Sequence, residues 1–252
     1  ANDPDGNEES IAKITLSDVK EFFSKFCLEN LFVVLCGDAE FCEDEIKEIL
    51  EILPNGKKEN LPFLDANEDC KIKEIYEESE QAYIYFGAPF YVSKEQEFIA
   101  KTALFVLGSS GFGSRLMEEI RVKRGLAYSA YARCDLGLFA RKFWGYLQTK
   151  NESKDEAIMV VREEIAKFIS DGINADELEQ AKKFLLGSAV LQKETMFQRV
   201  SILQDEYIKG FEFGEFERNL ERIKNLNLQD LNEFIKTHNE ICKLSFSILC
   251  KK

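Results

Sequence analysis

Histidine is almost absent from this chain: His238 is the only one among 252 residues. It follows a helical pattern and precedes the last apolar run, a position typical of a helix cap. A catalytic zinc site takes about three protein ligands from His, Cys or carboxylate side chains. No second histidine exists to form an H-x-x-E-H motif with His238. The sequence therefore excludes a histidine-pair metal site, and we expect this chain to hold no metal of its own.

Positive charge is also scarce. Lys and Arg number 33 against 46 Asp and Glu, which gives a formal net charge of −13. Nucleic acids and anionic membrane surfaces attract basic patches, so neither is an expected partner. There is no apolar run of about eighteen residues, which a membrane-spanning helix needs. The remaining composition is that of an ordinary globular protein with a sizeable core.

The cysteines follow no recognisable pattern. Their number is odd and no two are spaced as C-x-x-C, so neither a disulfide framework nor a thiolate zinc site is indicated. Several lie in apolar runs, where cysteine acts as a small buried hydrophobe, and this usage favours a reducing compartment. The seven are Cys27, Cys36, Cys42, Cys70, Cys134, Cys242 and Cys250.

The most informative stretch is residues 111–131, GFGSRLMEEIRVKRGLAYSAY. Ser114 is placed as a helix N-cap, and Gly125 as the glycine that ends the helix. Arg121 then falls in the last helical turn and Tyr128 at the head of a strand, and a tight reversal at Gly125 would bring their side chains together. From the residues alone a simpler interpretation is favoured, in which Arg121 complements the helix dipole and Tyr128 is an aromatic at the core edge.

The rest of the chain alternates strand and helix patterns. The order of one strand, helices, a strand pair, helices and a final strand predicts an α+β fold, with a mixed, mostly antiparallel sheet covered by helices on one face. Predicted strands cover 81–86, 126–133, 138–149 and 244–250, and predicted helices cover 94–107, 153–170, 174–193, 197–209, 214–225 and 227–236. Aromatic residues of the strand pair are predicted to form sheet core and cross-strand pairs rather than a binding cage. These are Tyr131, Phe139, Phe143, Trp144 and Tyr146.

The beginning of the chain has a pattern of its own. Thr15-x-x-Asp18 predicts a capped helix that buries Val19, Phe22, Phe23 and Phe26. The continuous apolar run 31–36, LFVVLC, predicts a fully buried strand, and 43–53 predicts a second helix. Such a strand needs paired neighbours and covering layers. We therefore expect 11–53 to be separate from the main sheet, and either mobile or stabilised by another chain, for instance in a homo-oligomer.

The pattern S-R-L-x-x-x-x-R-x-x-x-G-L-A-Y, from Ser114 to Tyr128, resembles the second-domain signature of the pitrilysin and insulin-degrading-enzyme family of zinc peptidases. The small bacterial relatives of mitochondrial processing peptidase are the most similar branch. In that family a first domain carries the inverted zinc motif H-x-x-E-H, and a homologous second domain closes over the substrate. The resemblance implies that the Arg and Tyr of the second domain, which contact substrate near the scissile bond, are Arg121 and Tyr128. It also implies a metallopeptidase-like α/β roll, in which the glycine-rich segment 108–113 is either a flexible substrate rim or a plain turn.

The first residues are similar to the closing third of the zinc-bearing domain of that family. E-E-S-I-x-x-I-T-x-x-D-x-x-x-F is followed by the apolar run and Gly37-Asp38. The resemblance implies that 1–53 ends a first domain whose metal motif lies upstream, that 54–74 is a linker, and that 75–252 is the second domain. Zinc would then belong to the parent protein, and this chain would contain none of its ligands.

These features predict the C-terminal, substrate-binding half of a zinc-dependent endopeptidase, inactive by itself. Arg121 and Tyr128 would donate hydrogen bonds to the carbonyl of a peptide or unfolded polypeptide substrate. The partner would be the missing zinc-bearing domain or a partner subunit. The alternative is a non-catalytic partner or scaffold subunit of the same fold, and an intact or absent H-x-x-E-H upstream would distinguish the two. An unrelated ligand-binding α+β protein is a third hypothesis, for which the chain offers no motif.

Overall fold

The computed structural model describes residues 5–37, 43–60 and 62–252. The chain divides into two compact units, Ala1–Leu61 and Pro62–Lys252. The predicted assignment of 1–53 to the end of a first domain stays a prediction, as do the linker and the second domain. The predicted linker overlaps a strand of the second unit, because that strand begins at Ile72.

The described part of the first unit contains three short α-helices: α1 (Glu8–Ala12), α2 (Leu16–Phe23) and α3 (Glu43–Leu50). The predicted cap at Thr15 is confirmed, since its hydroxyl accepts a hydrogen bond from the Asp18 N–H and the Asp18 carboxylate accepts one from the Thr15 N–H. Within the described part of this unit, Cys27 is the only buried residue.

Two predictions for the first unit are wrong. The apolar face of α2 is exposed rather than buried: Phe22 is 62% exposed and Phe23 60%, and Val19 and Phe26 are also exposed. The run 31–36 is not a strand, and its side chains are exposed. An apolar sequence favours burial, but a strand also depends on a neighbour for its backbone hydrogen bonds, which composition does not specify.

The second unit is built on a five-stranded sheet. Its strands have the spatial order β1-β5-β2-β4-β3, and only the β1–β5 pair is parallel. They are β1 (Ile72–Tyr76), β2 (Gln81–Pro89), β3 (Ala127–Leu136), β4 (Arg141–Lys150) and β5 (Ser245–Cys250). The predicted α+β class with a mostly antiparallel sheet is confirmed.

Helices cover one face of this sheet. Alternate residues such as Ile84, Phe143 and Ile248 are fully buried on that face, as period-two strands with one covered side require. The helices are α4 (Glu97–Leu104), α5 (Arg115–Met117), α6 (Lys154–Asp171), α7 (Ala175–Ala189), α8 (Met196–Ile208), α9 (Glu215–Asn225) and α10 (Leu228–Thr237). None of the helices in the described ranges is both long enough and apolar enough to cross a membrane.

Most predicted helix boundaries agree with local hydrogen bonding. Asn174 and Asn227 cap α7 and α10 through their side chains, and Gly172 ends α6 at a φ of 72°. Ser153 does not cap α6 with its side chain, because a 3₁₀ turn precedes the helix and leaves Ser153 outside the extended conformation that a capping residue adopts.

Cysteine burial is mixed: Cys250 is buried as expected but Cys36 is exposed, and Cys42 lies outside the described residues.

The opposite face of the sheet carries an exposed aromatic cluster. Tyr85 contacts Tyr146 with ring centroids 4.7 Å apart, and Tyr131 contacts Tyr146 at 5.8 Å and Trp144 at 5.7 Å. The predicted cross-strand pairing is therefore correct, because these residues lie on three adjacent strands. The prediction of core positions is wrong for most of them. Phe143 is buried, whereas Tyr131, Trp144 and Tyr146 are half-buried and Phe139 is exposed.

Candidate functional site

The helix that carries Arg121 begins at a side-chain cap and ends at a glycine. The Ser114 hydroxyl accepts a hydrogen bond from the Met117 N–H at 3.3 Å. After α5 the chain continues in wider helical turns over Glu118–Lys123. Gly125 has a φ of 64°, and its N–H donates to the Arg121 carbonyl at 3.1 Å. A left-handed residue is the usual end of a helix, and here it turns the chain directly into β3.

A β-bulge lies at the start of β3. Ala127 pairs with Thr149 and Ala130 pairs with Leu147, so Tyr128 and Ser129 together face the single residue that separates the partners on β4. A bulge of this kind changes the direction of a side chain next to a regular ladder. Both alanines are buried, whereas Tyr128 is 80% exposed. The bulge therefore explains why Ala127 and Ala130 are both buried although they are three positions apart, and it sets the direction of the exposed Tyr128 side chain between them.

The structure brings Arg121 and Tyr128 together. The Arg121 guanidinium carbon lies 4.5 Å from the centroid of the Tyr128 ring and 4.6 Å from that of the Phe112 ring. The guanidinium therefore contacts two aromatic rings, and such contacts attract a cation. Phe112 is itself 71% exposed and lies in the turn Gly111–Gly113. The role of the pair in substrate binding stays a prediction.

The polar atoms of this pair have no partner among the described residues. Across the residues described, the Arg121 side chain makes no hydrogen bond or ion pair, and the Tyr128 hydroxyl makes no hydrogen bond. The nearest acidic neighbours in sequence do not neutralise Arg121. Glu119 is bound to Lys123 at 2.5 Å and to Arg124 at 3.7 Å, and the hydrogen bond from Lys123 lowers the pKa of Glu119 against the raising effect of burial. The donors of Arg121 and Tyr128 are therefore available to a ligand.

A second arginine anchors the beginning of the same helix. Arg115 forms a bidentate pair with Glu177, with Nε–Oε1 at 2.6 Å and Nη2–Oε2 at 2.7 Å. It also donates to the carbonyl of Gly172 at 2.9 Å, and its Nη1 lies 4.0 Å from Glu164. Glu177 accepts a further hydrogen bond from the Asn174 N–H as part of the α7 cap. This network fixes α5 to the end of α6 and the start of α7, and so supports the helix that carries Arg121.

Sequence reasoning identified Arg121 and Tyr128 but missed two features that define their geometry. Phe112 gave a weak signal, as the only large side chain in GSSGFG. The bulge also has a weak signal in the sequence, because Ala127 and Ala130 are small residues three positions apart in a strand that otherwise alternates. Neither signal specifies a contact by itself, since both depend on the register of β3 against β4.

The described residues do not fit a zinc site. No group of three or more His, Cys, Asp or Glu side chains in the described ranges could hold a metal ion. Nδ1 of His238 lies 2.7 Å from a Glu240 oxygen, and its ring contacts Phe90 and Phe234. The only histidine is thus a buried structural residue at the end of α10.

We therefore expect the purified 252-residue chain to bind no stoichiometric zinc. The chain should be dialysed against zinc-free buffer, and its metal content then measured by mass spectrometry. A control dialysed with a known zinc protein would show that tightly held zinc survives the procedure. One retained zinc per chain would contradict the assignment of residues 1–53 to sequence that follows the metal motif.

Comparison with known proteins gives one family and a consistent set of structures. A family model described as the peptidase M16 inactive domain matches residues 13–185. The "Non-peptidase homolog YmxG" of Helicobacter pylori is 40% identical over 100% of this chain and 59% of its own length. The "Uncharacterized zinc protease SCO5738" of Streptomyces coelicolor is 30% identical over 49% of this chain and 27% of its own length. The chain thus spans less than two thirds of the length of these relatives.

Solved structures agree on the fold. A peptidase M16 inactive domain from Pseudomonas fluorescens has a TM-score of 0.84 and 22% identity, and the match covers 99% of this chain and 60% of that chain. A protease from Helicobacter pylori has a TM-score of 0.75 and 17% identity, with 97% and 61% covered. At these identities the likeness shows the fold alone.

Proposed function

The chain belongs to the peptidase M16 inactive-domain family, and on that premise we propose that its second unit binds an extended polypeptide through Arg121 and Tyr128. The sequence resemblance to the zinc-peptidase family is confirmed at this level. The proposal goes further than membership, because it assigns a ligand and two contacting residues. It places the chain as the substrate-binding half of a zinc-dependent endopeptidase that hydrolyses peptide bonds.

The observation that carries the proposal is the pair of unused donors. Arg121 contacts two exposed rings, and it offers several N–H donors in a fixed, always charged fork. Tyr128, whose ring contacts the guanidinium, adds a neutral O–H donor. A peptide carbonyl is an acceptor that can bind both groups, and its oxygen gains negative charge when the peptide bond is attacked. The pair therefore suits a peptide carbonyl better than a cation or an apolar ligand.

The chemistry of bond cleavage would belong to another part of the parent protein. Zinc held there would supply the activated water, and this chain would bind and orient the carbonyl. The exposed apolar side chains of the first unit support a partner of this kind, because exposed apolar clusters mark interaction surfaces. We propose that the zinc-bearing domain, or a partner subunit, covers them. A homo-oligomer formed through the same residues is the alternative, and light scattering of the chain distinguishes it from a monomer.

A second candidate is a non-catalytic partner or scaffold subunit of the same fold. The name of the Helicobacter pylori relative, a non-peptidase homologue at 40% identity, supports it. The presence or absence of H-x-x-E-H in the parent protein separates the two candidates. Both retain a polypeptide-binding role for Arg121 and Tyr128, so the contact itself can be tested first.

The contact is testable by photocrosslinking. We expect p-benzoylphenylalanine at position 128 to crosslink an unfolded protein such as reduced, carboxymethylated α-lactalbumin, because an exposed ring beside Arg121 lies at the proposed binding surface. The same group at position 190 is the control, since Val190 is 73% exposed and lies beyond α7. Crosslinked product is measured by gel and mass spectrometry. Equal yields at the two positions would contradict the proposal, as would an unchanged yield at 128 after Arg121→Ala.

A further inference from the structure

A separate cavity lies on the face of the sheet that the helices leave exposed. Its volume is about 460 Å³. The small residues Gly87, Ser245 and Ser247 form its floor. Gly87 on β2 pairs with Ser245 on β5, and Ser247 on β5 pairs with Tyr85. Tyr85 and Trp144 form its aromatic walls. The cavity is thus open to solvent and lined largely by apolar surface.

The charged residues that line this cavity, among those the structure describes, are all positive. They are Lys71, Lys73 and Lys142, and no acidic residue of the described ranges lines it. Lys71 pairs with Asp69 at 2.6 Å and Lys142 lies 3.8 Å from Asp135. Both pairs are well exposed to solvent, and exposed pairs are weak and exchange partners readily. Lys73 makes no ion pair with any residue in the described ranges.

This positive lining contrasts with the rest of the molecule. The chain has a formal net charge of −13, so an anion would be repelled by most of the surface and attracted here. A lining that is mainly apolar and includes Tyr85 and Trp144 disfavours a bare inorganic ion as the preferred ligand, because such an ion gains nothing from apolar contact. A carboxylate attached to an apolar group satisfies both the lysines and the aromatic walls.

We propose that this cavity binds an acidic residue, together with an adjacent apolar residue, of an extended polypeptide. The proposal rests on the proposed function, since it describes a second contact for the same ligand. The apolar side chain lies between Tyr85 and Trp144. The carboxylate accepts hydrogen bonds from the lysines at the rim.

The aromatic cluster connects this cavity to the Arg121 site. Tyr85 of the cavity wall contacts Tyr146, which contacts Tyr131. Tyr131 lies on β3, the strand that begins with the Tyr128 bulge. With strands about 4.8 Å apart and about 3.3 Å per residue along a strand, the two sites are separated by roughly 16 Å, or about five extended residues. The acidic residue is therefore expected about five positions from the residue that Arg121 contacts.

The ligand chemistry can be measured through Trp144, which is the only tryptophan of the chain. The full chain is titrated with acetyl-Ala-Leu-Glu-Leu-Ala-amide, and tryptophan emission is recorded with excitation at a wavelength that avoids tyrosine. We expect saturable binding of this peptide, and about tenfold weaker binding of the twin with Gln in place of Glu, because a charged hydrogen bond is stronger than a neutral one. Equal affinities for the twins, or no saturable change with either, would overturn the proposal.

Protein variants locate the site. The double variant Lys73→Gln/Lys142→Gln is expected to weaken binding of the Glu peptide about tenfold. Ser247→Tyr fills the floor of the cavity and is expected to abolish the saturable change in tryptophan emission. Lys150→Gln is the matched control, because Lys150 is also an exposed β4 lysine but does not line the cavity. The cavity is the wrong site if the double variant binds as tightly as the control. A failed crosslink at position 128 would instead overturn the proposed function and leave the peptide titration intact.

Discussion

Arg121→Ala is expected to lower kcat/KM by about 10²–10³ in a parent protein whose first domain carries an intact H-x-x-E-H, the scale of losing one oxyanion donor. The Arg121 guanidinium contacts the Tyr128 ring, and it forms no ion pair with any described residue. Tyr128→Phe removes a single O–H donor, and we expect a loss of the same order. Initial rates on a quenched fluorescent peptide at low concentration measure both effects.

The stability of the protein should barely change in these variants. Arg121 is held by two exposed rings, and an exposed cation–π contact contributes about 0.5–1 kcal/mol. Arg121→Lys is the informative companion, because it keeps the charge but loses the planar fork. Normal turnover in Arg121→Ala and Tyr128→Phe would return the pair to its simpler interpretation, a helix-end cation against an edge aromatic. In a protein without a zinc motif, the loss should be one of polypeptide binding instead.

Glu177→Ala is expected to lower the free energy of unfolding by about 3 kcal/mol, because it leaves a largely buried guanidinium without its carboxylate. The Arg115 side chain is only 18% exposed and that of Glu177 23%. The substitution also removes the cap on the Asn174 N–H. Urea denaturation followed by Trp144 emission measures the change in the second unit.

The matched control for this prediction is Glu179→Ala. Glu179 lies on the same helix, and its pair with Lys182 at 3.5 Å leaves its side chain 72% exposed. Such a pair contributes about 0–1 kcal/mol, so the control should stay close to the wild type. If the two variants lose the same stability, the Arg115–Glu177 pair does not anchor α5.

The pH dependence of Glu177→Ala follows from the pKa of Glu177. Burial raises this pKa, but hydrogen bonds from Arg115 and from the Asn174 N–H lower it by more than burial raises it. The pKa therefore falls below the ordinary value of 4.5. A depressed carboxyl pKa stabilises the fold fully above its unfolded value, and the contribution is lost as pH falls through the folded value. The stability difference between wild type and Glu177→Ala should therefore be constant near neutral pH and shrink below about pH 4. Glu164 has the opposite tendency, because burial raises its pKa.

Most short-range signals in the sequence are confirmed, since their hydrogen bonds close within a few residues. Thr15 and Ser114 cap helices as predicted, and Gly125 ends one. Strand β1 was missed because its partner is distant in sequence: the hydrogen bond from Lys71 to Ser245 at its entry spans 174 positions. No local pattern distinguishes such an edge strand from a linker.

The run LFVVLC shows the reverse error. Its composition is that of a buried strand, yet it is exposed and is not a strand in the structure. Hydrophobicity predicts that a segment prefers burial, whereas pairing depends on whether another strand is available. At the site the same distinction holds. The reversal at Gly125 predicted that Arg121 and Tyr128 would meet, but the contact with Phe112 and the bulge depend on register, which one strand cannot specify.

The bulge at the start of β3 makes chain length a property of the site. Exchanging Ser129 for another residue alters a side chain and leaves the count between Ala127 and Ala130 unchanged. Deleting Ser129 would instead leave one residue opposite Gln148, and β3 would resume a regular ladder from its first residue. Tyr128 would then point along the uncovered face with its neighbours, although neither it nor Arg121 had been substituted. Insertions and deletions in positions 127–130 are thus the changes that most readily separate Arg121 from Tyr128. In a redesigned β3, the number of residues between Ala127 and Ala130 matters more than their identity.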